Sequence, residues 1–126
     1  MSFTNFLETE ILDHVFAGNA YSAPSNVYLG LYTATPNDTG GGTELSGSGY
    51  ARQTMAMSVS GNTATNSAAE EFAKATGSWG TVTHVGVFDA ATSGNLLAYG
   101  ALSASKAIAT GDVFRIPAGD LDITLD

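Results

Sequence analysis

Residues 79–102, WGTVTHVGVFDAATSGNLLAYGAL, decide how this chain folds. Two apolar runs, 82–88 and 96–102, flank a short link that holds Ala90, Ala91, Thr92, Ser93, Gly94 and Asn95. β-Branched and aromatic residues dominate the first run, and such side chains suit a pleated, half-buried surface. The small residues and the Gly-Asn pair of the link supply a chain reversal. The unit reads as a β-hairpin and carries no catalytic apparatus.

The same alternation recurs on both sides of this hairpin. In 26–33, Val27, Leu29 and Leu31 point one way and Tyr28, Gly30 and Tyr32 the other, so both faces of that strand are expected to be covered. Residues 50–60 alternate again, with Met55, Met57 and Val59 on one face. Gly61-Asn62 marks a tight turn, and 63–66 begins the return strand. Residues 68–75 carry the Ala and Glu of a helix, but their place between hairpins favours a strand. After 102 the reading gives a link (103–112), a strand at 113–117, a turn at Ala118-Gly119-Asp120 and a closing strand. In that last strand Leu121, Ile123 and Leu125 are expected to face inward.

Only the N-terminal segment has helical spacing. Phe3, Leu7, Ile11 and Val15, joined by Phe6, Leu12 and Phe16, lay one apolar stripe along residues 3–16. Ser2 or Thr4 is the N-cap, Glu8 suits the dipole of the first turn, and Gly18-Asn19 ends the helix. The fold expected is mainly β: an antiparallel β-sandwich or barrel of seven to eight short strands preceded by one N-terminal amphipathic helix. The 126 residues make a single domain, with the helix in 1–19 and the β-sandwich in 26–126. A Gly-rich loop, 34–49, holds Pro36, Asn37, Asp38 and three successive glycines, 40–42. Loops of this length are functional or mobile, and this one is a candidate contact arm.

Composition narrows the job. Twelve acidic and four basic residues give a net charge of −8, and the basic ones (Arg52, Lys74, Lys106, Arg115) are scattered. Nucleic-acid binding needs a cationic footprint, so no nucleic-acid partner is expected, and an anionic membrane surface is disfavoured on the same ground. Only 13% of residues are charged, which suits closely packed subunit interfaces, whose cores are depleted of charge. There is no Cys, hence no disulfide or thiolate chemistry. No run of about 20 apolar residues and no signal-peptide pattern is present, so export would follow another route.

Motifs that carry chemistry are weak. His14 and His84 match no metal spacing, and a lone strand histidine is usually a packed one. Ser, His84 and Asp89 can be drawn as a triad, but no Gly-x-Ser-x-Gly elbow accompanies them. Glu70 and Glu71 would face opposite sides of a strand and cannot act as a pair. Asn37, Asp38 and Glu44 could hold Ca²⁺ through oxygen, but their spacing is not that of an EF-hand and turn formation is their commoner use. Gly40, Gly41 and Gly42 lack the Lys-Ser/Thr ending of a phosphate loop. The expectation is therefore no catalytic residue, no metal and no cofactor. The residues singled out for interaction are Phe3 and Phe6 on the helix and Tyr50 and Arg52 beside the glycine loop. The competing use of Arg52 is to solvate an edge strand. Exposed aromatics among the chain's twelve would also suit a sugar ligand.

Four stretches carry a family resemblance: VYLGLYTA (27–34), GGGTELS (40–46), GYARQ (49–53) and WGTVTHVGVFD (79–89). In these, and in order from the N-terminal helix to the closing strand, the chain resembles a family of small bacteriophage virion structural proteins often labelled tail fibre protein. The resemblance implies a non-enzymatic component of the virion and brings no catalytic residues with it. A fibre needs length from repeats or a stalk, and this chain has neither. A capsid decoration (cement) subunit, bound in many copies to the major capsid protein and to itself, is therefore the expectation. The alternative is a tail-fibre or tail-tip module that contacts the host surface, or a carbohydrate-binding β-module.

Overall fold

A computed structural model describes residues 1–126, and the architecture is mainly β with antiparallel sheets and one helix. The elements run β1 (Ser2–Phe3), α1 (Asn5–Phe16), β2 (Val27–Ala34), β3 (Thr43–Glu44), β4 (Gln53–Met55), β5 (Met57–Ser60), β6 (Thr63–Asn66), β7 (Glu70–Glu71), β8 (Gly80–Phe88), β9 (Leu96–Ile108), β10 (Arg115–Ile116) and β11 (Asp122–Thr124). Four of the eleven strands are only two residues long, so the seven longer ones match the strand count read from the sequence. No helix is long and apolar enough to cross a membrane.

The hairpin of residues 79–102 is the centre of the molecule. β8 pairs antiparallel with β9 on one side and with β2 on the other, and the large sheet runs β1-β9-β8-β2-β3 with β4 also on β2. A three-stranded sheet, β11-β6-β5, and a two-stranded one, β10-β7, cover one face of it. The core lies between them. Leu29, Leu31, Val85 and Val87 come from the large sheet and meet Phe72, Phe114, Ile116 and Leu121. Phe72 sits at the middle of an aromatic run, stacked on Tyr50 and edge-on to Trp79 and Phe114. Tyr32, Phe88 and Leu96 form a smaller cluster with Tyr28 and Tyr99, so the second face of β2 is covered as its alternation predicts.

Several boundaries differ from the sequence reading. Ser2 and Phe3 pair with Tyr99 and Ala98 as a strand, so the helix begins at Asn5 and Phe3 is not on it. Thr4 is the N-cap: its Oγ1 accepts from Leu7 N and donates to Leu96 O. The loop 34–49 contains β3 and an Asn37–Gly40 bridge. Of 68–75 only Glu70–Glu71 is strand, with Glu70 buried and Glu71 exposed on opposite sides. β9 runs on to Ile108 through what reads as a link. There it arches outward, because Leu102, Ser103, Ala104 and Ser105 lie between register positions that only Thr83 separates on β8. The last strand shortens to Asp122–Thr124, and Leu125, expected inside, is 53% exposed; Val59, read as sharing a face with Met55 and Met57, is 75% exposed. These two sit where the β5–β6–β11 sheet projects past the core.

Candidate interaction surface

Two strand glycines prepare the most connected polar cluster. Gly30 on β2 and Gly86 on β8 are direct cross-strand partners. A Cβ on Gly30 would lie 2.7 Å from the Phe88 ring and 3.0 Å from Glu44 Oε2. One on Gly86 would meet Leu96 at 2.7 Å and Tyr32 at 2.8 Å. The missing side chains leave a hollow in the sheet face, and Tyr32, Phe88 and Glu44 fill it.

Backbone pairing sets the next requirement. The outer edge of β2 is paired by β4 at residues 27–29 and by β3 from Tyr32 onward. Between them Leu31 N has no strand partner on that edge, and it donates to the Tyr50 phenol at 3.1 Å. The Tyr50 hydroxyl in turn donates to Glu44 Oε2 at 2.7 Å. Burial pushes the Tyr50 phenol well above the ordinary tyrosine range. The Leu31 N–H opposes that rise, and the bond to the Glu44 carboxylate adds to it.

Arg52 closes the arrangement. Its Nε and Nη2 grip Glu44 at 2.8 and 2.7 Å in a bidentate fork. Its Nη1 donates to Ala90 O and Ser93 O at 2.9 and 2.8 Å. The guanidinium lies 3.4 Å above the centre of the Phe88 ring. The side chain is only 9% exposed. Burial alone would lower its pKa, but the Glu44 bond and charge outweigh that and raise it. The turn it reaches is locked on its own account: Asp89 accepts Asn95 N at 2.7 Å and Asn95 Nδ2 at 2.9 Å. Ser93 and Gly94 sit in the left-handed region at φ 55 and 72. Arg52 thus ties the glycine loop to the β8–β9 turn. The side chain faces these partners and not solvent, so it does not solvate an edge strand.

The four residues chosen from sequence fall into three places. Tyr50 and Arg52 meet at Glu44. Phe3 lies in β1 against Ala98. Phe6, half-buried on α1, borders a shallow recess of about 330 Å³ with Tyr32, Asp38, Thr39, Phe88 and Asn95. Tyr32 and Phe88 are common to the recess and to the hollow that Arg52 closes. Asp38 accepts the Tyr99 phenol at 2.6 Å and its carbonyl accepts Asn5 N, which fastens the loop to the helix start. The oxygens considered for Ca²⁺ are engaged separately. Asn37 holds Thr39, Asp38 holds Tyr99, and Glu44 holds Arg52 and Tyr50. The histidines also differ in their partners: His14 Nδ1 meets Asn19 O and Tyr21 N at the exposed end of the helix, and His84 Nδ1 meets Thr83 Oγ1 in mid-sheet.

Sequence reasoning missed Glu44 and Phe88 as partners of Arg52. The signal available was the pair of glycines inside two strands, which marks a place where something approaches closely. A family model described as Podophage GP4 fiber I protein gp80 matches residues 2–124. No curated protein matches the chain.

Proposed function

The chain belongs to the family described as Podophage GP4 fiber I protein gp80, and from that premise we propose that it is a non-enzymatic fibre subunit of a phage tail. The single observation that carries the reading is the family match over nearly the whole chain. The expected capsid decoration role has no support from that match, which names a fibre, and the tail-fibre or tail-tip alternative takes its place. The subunit resides in the virion, and its partners are other tail proteins and copies of itself. The geometry supports a structural role. Arg52, Glu44, Asp89 and Asp38, the side chains that could be taken for chemistry, brace loops against the sheet. A module of this kind holds its shape while neighbours pull on it.

One observation favours a host-glycan contact as a second reading. The recess beside Phe6 is lined by aromatic side chains together with Asp38 and Asn95, a combination that suits a sugar. Localisation tests the main reading. Antibody labelling of intact particles should mark the tail, and quantitative mass spectrometry should give a copy number that follows tail symmetry. Label spread over the head, with the copy number of the shell, would overturn the fibre assignment and restore decoration.

A further inference from the structure

Helix α1 has no buried residue. Leu7, Ile11, Phe6 and Glu10 are half-buried and turn toward the body of the molecule. Glu8, Leu12, Val15 and Phe16 stand at i, i+4, i+7 and i+8, which places them together on the opposite face. There Leu12 is 57%, Val15 61% and Phe16 81% exposed. A twelve-residue helix is marginal without packing, so an apolar stripe on its outer side calls for a partner. That stripe points away from its own molecule, so the partner is a separate chain.

A matching surface exists on the same polypeptide. An open groove of about 700 Å³ runs along the arched part of β9 and the β10–β11 segment. Apolar atoms of Leu102, Phe114, Ile116 and Leu121 line it, and Lys106 and Arg115 border it. β1 covers only Ala98 and Tyr99 of the outer edge of β9, which leaves the groove open beside it.

Charge selects this groove over the other apolar surfaces. The chain has four basic residues. Arg52 is sealed against Glu44 and Phe88, and Lys74 lies outside the groove. Lys106 and Arg115 border it, and Arg115 has only a loose contact with Glu71 at 3.9 Å. Asp120 and Asp122 offset these two cations, so the groove is formally neutral on a chain of net charge −8. The helix brings Glu8, Glu10 and Asp13. Two α1 helices packed on each other would gather Glu8, Glu10 and Asp13 from both copies with no Lys or Arg, and the exposed end of the β5–β6–β11 sheet, around Val59 and Leu125, adds Asp126 and no cation.

We propose that the outer face of α1 of one copy docks into the β9/β10–β11 groove of a second copy, with Leu12, Val15 and Phe16 on its apolar wall and Glu8 against Lys106 or Arg115. Donor and acceptor are different patches, so the contact is heterologous and can propagate from copy to copy. The inference rests on the reading of the chain as a repeated virion subunit.

Sedimentation of the full chain over a concentration series, at low and high salt, tests it. The wild-type mass should exceed that of a monomer and rise with concentration. Phe16→Glu and Leu12→Glu should each return it to monomer with an unchanged far-UV spectrum. Lys106→Glu should weaken association by about tenfold, and adding Glu8→Lys to it should restore most of the loss. Lys106→Glu lies on the other side of the contact, so it decides the matter should a helix variant fail to fold. Wild type that stays monomeric, or association indifferent to these changes, would overturn the proposal, and tail labelling in the same case would leave the fibre reading standing.

Discussion

At the scale of single residues, Arg52 organises more of the structure than any other polar side chain. It joins β3, through Glu44, to the distant β8–β9 hairpin, through Ala90 and Ser93 of the turn and the Phe88 ring at the end of β8. Breaking a largely buried ion pair from one side strands the remaining charge, which costs more than the pair contributes net. Glu44 is 24% exposed, so water recovers part of the loss. Arg52→Met should therefore destabilise the protein by about 2–3 kcal/mol in urea unfolding. Adding Glu44→Gln should return part of this, because the stranded charge is gone. Arg52→Met within about 0.5 kcal/mol of wild type would mean the cluster contributes little. Sequence placed Arg52 and Tyr50 beside the loop but could not supply their partners. Two of those partners are carbonyl oxygens, which carry no residue signature, and Glu44 suggests from sequence only a weak Ca²⁺ ligand beside Asn37 and Asp38. Gly30 and Gly86 were visible in the sequence as strand glycines. Their meaning depends on a cross-strand register that a single sequence does not print.

At the scale of elements, what could be read followed burial. β2, the β5–β6 turn and the β8–β9 hairpin alternate because one or both faces are covered, and their positions hold. The arch of β9 was hidden because Ser103, Ala104 and Ser105 are small and face solvent, so pairing continues where the pattern fades. α1 is the converse: its spacing gave the helix, but the apolar stripe predicted an inner face where much of it is outer. With no residue buried, α1 depends on its start. Thr4 is 2% exposed, and its hydroxyl donates to Leu96 O at 2.6 Å as well as capping the first turn. Thr4→Ala should cost about 1–2 kcal/mol. It should also speed amide exchange across residues 5–16 well before that of β8. Equal protection in variant and wild type would show that packing, and not the cap, holds the helix.

At the scale of the whole molecule, burial makes stability fall with rising pH on both the acid and the alkaline side. Glu70 is 6% exposed, and its Oε1 has no hydrogen-bond partner. Burial pushes its carboxyl up, against a smaller downward pull from the Ala56 N–H. The folded chain therefore keeps this proton to a higher pH than the unfolded chain does. Native protein binds more protons in that window, so the contribution of Glu70 falls as pH rises through it and is least favourable at neutrality. Glu70→Gln should raise the urea midpoint at pH 7, by about 1 kcal/mol in stability, and the gain should vanish once pH drops below the ordinary glutamate value. The alkaline side follows the same sign. Burial, and then the Glu44 charge, push Tyr32 up to about 12, and burial takes Tyr50 higher still. In the unfolded chain both phenols ionise near about 10. Between those values the unfolded chain has released protons that the folded one retains, so stability declines as pH climbs. The midpoint of urea unfolding should fall steeply from about pH 10 upward. Phenolate absorbance from these two rings should appear together with loss of the β signal. A midpoint flat across this range, or phenolate absorbance that reaches its full five-tyrosine value while the sheet is intact, would mean that water reaches the Tyr50–Glu44–Arg52 cluster.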